Sequence, residues 1–189
     1  ALDDAIFGIP ANADRVLRVV PSTGEVSTVG PAMPAKRWKY HGGVAVNGLI
    51  VCIPACADRV LIIESNGVRE IGPSFDGEGK WYGGILGCDG KVYGIPYNAE
   101  FVLRVDPVTL DVSTGGPSLG KGGYKWHGGV RCGDVVVGVP SHADRVLRID
   151  PNANFVGTVG SPIEFGPLFD AKAKRGRYKY GGAVARAGV

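Results

Sequence analysis

The first candidates for chemistry in this 189-residue chain are four acidic residues in matching contexts: Asp14, Asp58, Glu100 and Asp144, with Arg15, Arg59 and Arg145 following three of them. Between them stand Lys39-Tyr40-His41, Lys80-Trp81-Tyr82, Lys125-Trp126-His127 and Lys179-Tyr180-Gly181. A carboxylate, a cation and an aromatic ring brought to one place could hold a small polyhydroxylated ligand, the acid taking its hydroxyls and the ring its apolar face. On that reading Trp81, Trp126, Tyr40 and Tyr180 are stacking platforms. The competing reading is structural. Asp14, Asp58, Glu100 and Asp144 would accept hydrogen bonds from residues such as His41, Tyr82 and His127, each bond contributing on the order of 1.5 to 3 kcal/mol and fixing a turn.

Other catalytic signals are weak. The chain has three histidines, His41, His127 and His142, and four cysteines that do not occupy corresponding places in the pattern. Cys52 and Cys56 lack a nearby His or Cys pair, so a zinc site is not expected. No HExxH pattern and no serine in a G-x-S-x-G elbow is recognised, and Gly120-Lys121-Gly122-Gly123 lacks the spacing of a phosphate loop. The expectation is therefore a chain that is not an enzyme and holds no metal or cofactor. Four free thiols point to a soluble protein of a reducing compartment.

The net charge of +3 comes from 21 basic and 18 acidic residues mixed along most of the chain, which argues against a nucleic-acid partner. No apolar run approaches the roughly 18 residues that would suggest a membrane span. With 44% hydrophobic residues, 31 glycines and 13 prolines, the composition suits one all-β domain.

The elements that must position these residues repeat. IPANADRVLRV at Ile9 returns as IPACADRVLII at Ile53, IPYNAEFVLRV at Ile95 and VPSHADRVLRI at Val139. Pro10, Pro54, Pro96 and Pro140 are 44, 42 and 44 residues apart, a period of arrays in which no unit buries its apolar face alone. Within a unit, KYHGGVAV turns at Asn47-Gly48 into LIVCIP, and a second hairpin comes after ACAD. Asn-Gly between apolar runs is the strongest short hairpin signal, because both central residues of a type I′ turn need positive φ.

Two linked hairpins make a four-stranded propeller blade, so the expected fold is an all-β propeller of antiparallel blades with four repeats per chain. The units run approximately 39–79, 80–124, 125–178, and 179–189 joined with 1–38. AIFGIP at Ala5 reads as a second strand whose first strand is GGAVARAGV at Gly181 to Val189, so the N-terminal strand is expected to complete the last blade. That leaves three arrangements: a four-bladed ring, an eight-bladed ring by dimerisation, or part of a larger repeat protein. The expected acid-to-histidine bonds resemble the hydrogen-bond network of WD-repeat blades. The pattern GGVAVNGLIVCIP, ADRVL, and an acidic-Pro-x-Thr turn, best seen from Asn98 to Thr109, is similar to NHL, YVTN and virginiamycin-B-lyase-like propeller units. That resemblance implies the propeller, and some relatives hold a metal in the central channel.

What varies is the link between blades. From the glycine ending each fourth strand to the next lysine the spacing is 9, 8, 9 and then 19 residues. The long link, 161–178, carries Lys172, Lys174, Arg175 and Arg177, a basic tract able to dock an acidic surface. The expected function is a non-enzymatic binding or assembly module that contacts a protein partner through one ring face and this loop, or that self-associates into a larger ring. The alternatives are a lectin-like propeller with one glycan site per blade and a metal-dependent lyase or lactonase-like enzyme.

Overall fold

The computed structural model describes residues 4–163, 179–180 and 183–185, and within them fifteen strands form four antiparallel sheets with no helix. Among the described residues none therefore forms a helix long and apolar enough to cross a membrane. Sheet 1 holds β1 (Ile6–Gly8), β2 (Val16–Val20) and β3 (Glu25–Val29). Sheet 2 holds β4 (Tyr40–Val46), β5 (Leu49–Pro54), β6 (Val60–Glu64) and β7 (Gly67–Ile71). Sheet 3 holds β8 (Trp81–Leu86), β9 (Val92–Pro96), β10 (Val102–Val105) and β11 (Val112–Gly115). Sheet 4 holds β12 (Trp126–Cys132), β13 (Val135–Pro140), β14 (Val146–Asp150) and β15 (Phe155–Val159).

Each sheet is a meander in which successive strands pair, and the turns reflect residue type. Asn47 and Gly48 both have positive φ, 51° and 71°, as a type I′ turn demands. The segment expected to add a fourth strand to sheet 1 lies mostly outside the described residues, and its described part, Ala183 to Ala185, belongs to no strand.

The sheets stack face to face, and their central strands are apolar on both faces. Val51, Ile53, Val60 and Ile62 of sheet 2 pack with Val92, Leu103 and Val105 of sheet 3. Cys52, Leu61 and Ile63, on the opposite face of sheet 2, pack with Val16, Phe7 and Ile9 of sheet 1. Tyr93, Ile95 and Val102 meet Val136, Leu147 and Ile149 between sheets 3 and 4. Burial on both faces explains why LIVCIP and VYGIP read as continuous apolar runs instead of alternating.

The first strand of each complete sheet carries a bulge, seen as a register shift between Tyr40 and Gly43, Trp81 and Gly84, and Trp126 and Gly129. The bulged glycines Gly42, Gly83 and Gly128 have φ of 77°, 78° and 71°. A Cβ on Gly42 would lie 3.1 Å from the Cα of Gly83, and one on Gly83 would lie 3.4 Å from the Cα of Gly128. Backbone therefore meets backbone where β4, β8 and β12 converge, and this convergence is the axis of the propeller.

The lysine before each first strand joins one blade to the next. The main-chain N–H of Lys80 donates to Ala55 O at 2.8 Å, and its Nζ donates to Ala57 O at 2.8 Å and Gly77 O at 3.0 Å. Lys125 repeats this with its N–H on Tyr97 O and its Nζ on Ala99 O, Gly120 O and Gly122 O, at 2.8 to 3.0 Å. Lys179 does the same with Ser141 O, Ala143 O and Ile163 O. The lysine carbonyl in turn collects donors from its own blade: Ala55, Cys56 and Ala57 N–H on Lys39 O; Tyr97, Asn98 and Ala99 N–H on Lys80 O; Ser141, His142 and Ala143 N–H on Lys125 O. Lys39 and Lys80 are buried. An ammonium has three donors and no acceptor, so the three carbonyl oxygens at Lys125 satisfy it without a carboxylate.

Burial pushes the Lys125 ammonium down to about 8. Replacing Lys125 with Met keeps the stem but strands the carbonyls, and should cost about 1.5 to 3 kcal/mol in urea unfolding at pH 7. A loss below about 0.5 kcal/mol, the size of an ordinary surface substitution, would contradict the junction. The unfolded chain keeps this proton to higher pH than the fold does, so the Lys125 contribution to stability rises with pH from about 8 toward the ordinary lysine value of 10.5. That slope should vanish in Lys125→Met.

Candidate functional site

The bulges turn the second residue of each inner strand toward the axis. His41 stacks on Tyr82 with centroids 4.0 Å apart and lies 5.6 Å from His127, which lies 5.0 Å from Tyr82. The rings continue outward, with Tyr97 4.3 Å from Tyr82, Tyr124 4.9 Å from Tyr97 and His142 5.6 Å from Tyr124. The result is a strip of six rings across one end of the propeller. His41, Tyr82, His127 and His142 are partly covered, Tyr97 is buried, at 5% exposure, and Tyr124 is 50% exposed.

Local geometry holds this strip. Tyr124 sits at φ 49°, a left-handed conformation, and its N–H donates to the side-chain oxygen of Asn98 at 3.1 Å. Trp38, at φ 53°, donates likewise to Asn12 Oδ1 at 2.9 Å, and Gly79 donates to Cys56 Sγ at 3.3 Å. Asn12, Cys56 and Asn98 thus cap the residue that precedes Lys39, Lys80 and Lys125. At the fourth such position His142 Nδ1 lies 3.2 Å from Tyr124 O.

Burial and the nearby His127 hold the His41 imidazolium below the usual histidine range. Its Nδ1 is buried and has no hydrogen-bond partner among the described residues. His41 is therefore held as a neutral ring suited to apolar and aromatic contact.

The structure corrects two expectations. Tyr40, Trp81 and Trp126 are not stacking platforms, because all three are core residues, 2 to 3% exposed. Their polar tips are engaged inside: Trp81 Nε1 donates to Phe101 O and Trp126 Nε1 to Arg145 O, each at 2.9 Å, and Tyr40 Oη donates to Glu70 at 2.9 Å. An amphipathic ring before a bulge is drawn into the inter-sheet core once its one donor has a partner. Tyr180, the fourth member, is 50% exposed.

The second correction concerns the acids. Asp58 accepts from Lys36 Nζ at 2.7 Å and Glu100 from Ser118 Oγ at 2.8 Å, with Lys121 at 3.7 Å. Their carboxylates are thus engaged by the links between blades, while His41, Tyr82 and His127 pack ring on ring. At every repeat the main-chain carbonyl of the acid accepts from the link, with donors Met33 for Asp14, Phe75 for Asp58, Leu119 for Glu100 and Ile163 for Asp144. Arg15, Arg59 and Arg145 donate to Gly30, Gly72 and Gly160 carbonyls, closing the outer hairpin. These repeated ions are scaffold.

Lys172, Lys174, Arg175 and Arg177 lie outside the described residues. Among the described residues no three His, Cys, Asp or Glu side chains gather in a way that could hold a metal ion. Cys52, Cys56, Cys88 and Cys132 are free thiols, and burial pushes Cys52 up to about 12. Gly116-Pro117-Ser118-Leu119-Gly120 matches the letters of a nucleophile elbow, a match the sequence reading missed. Ser118 stands on a strand-to-loop link bonded to Glu100, with no helix to form the elbow. A cleft of about 440 Å³ at the same end is lined by Phe75, Asp76, Trp81, Glu100 and Lys121.

No family model and no curated protein sequence matches the chain. Solved structures do match in fold. Virginiamycin B lyase from Staphylococcus aureus superposes with a TM-score of 0.66 at 17% identity, covering 83% of this chain and 52% of that one. A streptogramin B lyase gives 0.67 at 14%, covering 84% and 51%. A chain of a nidogen/laminin complex gives 0.59 at 11%, covering 86% and 60%. The fold is a β-propeller like that of the lyases, and the chain spans about half the length of those lyase chains.

His41 supplies an acid-sensitive element. Because its folded-state value lies below the ordinary 6.5, the unfolded chain takes up the proton first, and stability present above pH 6.5 is lost as pH falls through the lower folded value. His41→Phe, which keeps a ring on Tyr82, should flatten this loss when urea midpoints are compared from pH 7 down to about 5. An unchanged slope would show that His41 is not held neutral.

Proposed function

We propose that this chain is a non-enzymatic binding module that contacts a protein partner through the axial face of the propeller, with the basic link 161–178 alongside. The observation that carries the reading is the ring strip from His41 to His142, partly open to solvent and set on a rigid scaffold. Aromatic residues on a rigid frame give large contact area at low entropic cost, the usual make-up of interface anchors. The link that departs from the repeat begins at the same end, where Ile163 N–H bonds Asp144 O and Lys179 Nζ bonds Ile163 O. Its lysines and arginines favour an acidic partner surface.

With Trp81, Trp126 and Tyr40 in the core, the glycan reading loses three of its four stacking platforms and keeps only the exposed Tyr180. Lyases among the similar structures share 14 to 17% identity with this chain, a likeness of fold that carries no activity over.

The test is affinity capture from a matched proteome, compared between the parent, a Tyr124→Ala/His142→Ala variant and a variant with Lys172, Lys174, Arg175 and Arg177 changed to Glu. A specific partner should be retained by the parent and reduced at least about tenfold by each variant, about 1.4 kcal/mol, while thermal melting moves by no more than a few degrees. Equal capture by all three proteins would overturn the reading.

A further inference from the structure

The two end sheets of the series carry the same inter-sheet surfaces as the interior sheets, yet that of sheet 1 is exposed and that of sheet 4 is only partly covered, with Val139 7% exposed. On the face that looks back along the series, Leu61, Leu103 and Leu147 are 0 to 2% exposed because the preceding sheet covers them, whereas the equivalent Leu17 of sheet 1 is 41% exposed. The equivalents of Val26 are Val68, Val112 and Val156, each packed into a core, but Val26 itself is 65% exposed. The opposite face of sheet 4 is the matching surface. Val60 and Val102 are 0 and 2% exposed, while the equivalent Val146 is half-buried, as is Val137 beside it.

The interior junctions also specify how such faces fit. A glycine ending one sheet receives a valine of the next: a Cβ built on Gly30, Gly72 or Gly116 would strike Val68, Val112 or Val156 at 2.5 to 2.7 Å. The fourth glycine, Gly160, has nothing within 4 Å. Similarly, Ile53 of sheet 2 lies over Gly94 of sheet 3 and Ile95 of sheet 3 over Gly138 of sheet 4, each 3.4 Å from a built Cβ, whereas Gly8 meets only Leu17 of its own sheet.

We infer that a second copy of this chain packs head to tail on these faces, sheet 4 of each copy against sheet 1 of the other, closing one ring of eight blades. Gly160 then receives Val26 of the second copy, and Val139, the equivalent of Ile53 and Ile95, covers Gly8. One chain superposes on 51 to 52% of each lyase chain, so it matches an open arc of a longer propeller and not a closed ring. A two-fold axis makes the two junctions identical and leaves no face open, the closed form of a heterologous contact. Tyr180 is half-exposed where Tyr40, Trp81 and Trp126 are buried. This inference is independent of the ring strip and of any partner bound there.

The experiment is light scattering on a sizing column over a dilution series, with the parent, Leu17→Glu and Val137→Glu. The parent should weigh twice 19.7 kDa, and each variant should fall to 19.7 kDa with an unchanged β-sheet circular dichroism spectrum, since both positions are accessible in the single chain. An equimolar mixture of the variants should regain dimer, because one junction then joins an intact sheet 1 face to an intact sheet 4 face. A monomeric parent at all concentrations, a parent larger than a dimer, or a dimer unaffected by both variants would each overturn the inference. Variants that are monomeric alone and stay so when mixed would overturn the head-to-tail arrangement.

Discussion

The junction made by the lysine at the head of each blade is the interaction on which the rest of the structure depends. A lysine with its ammonium on carbonyls of the preceding blade, its N–H on that blade's turn and its own carbonyl under three N–H groups of the next turn is anchored at three points. Burying such a group would be costly in an apolar setting, and here carbonyl oxygens receive the ammonium, three of them at Lys125 and two at Lys80. The same anchor sets the path of the inner strand. Two residues later the strand bulges, the glycines of neighbouring inner strands come into backbone contact, and the ring-bearing residue between lysine-aromatic and glycine is aimed at the axis.

This order separates scaffold from surface. The residues that repeat most faithfully, the lysines, the acids, the arginines and the aromatic residue after Lys39, Lys80 and Lys125, are occupied inside or between blades. What is left for recognition is the residue that changes from blade to blade at the axis, His41, Tyr82 and His127, extended over the buried Tyr97 by Tyr124 and His142. A periodic scaffold with a variable rim is a general way to build a binding surface, because changes at the rim leave the packing between units intact.

Much of the fold was legible in the sequence because the signals are local. Asn47-Gly48 reports a hairpin through backbone φ alone, and the prolines at 44-, 42- and 44-residue intervals report the repeat without any knowledge of contacts. The roles of polar side chains were less legible. Nothing in the type of Lys80 or Lys125 tells that its partners are carbonyls, since every residue has one. Trp81 and Trp126 could equally have been ligand platforms, and only their depth decides. Asp58 was expected to meet a histidine and meets Lys36, from the link that precedes its own sheet, a choice made by chain path. The ring strip was invisible as a unit because its members come from three bulges and three turns.

Native-state hydrogen exchange of the turn amides tests the junction most directly. Ala55, Ala57, Tyr97, Ala99, Ser141 and Ala143 lie at strand ends or in the turns just beyond them, where fast exchange is the ordinary expectation, yet each donates to a lysine carbonyl at 2.8 to 3.0 Å. The account predicts protection of these amides comparable to the central strands β5, β9 and β13, opening only with the whole propeller. Exchange at the rate of ordinary exposed turns, with the strands still protected, would show that the lysine junctions do not hold the blades together.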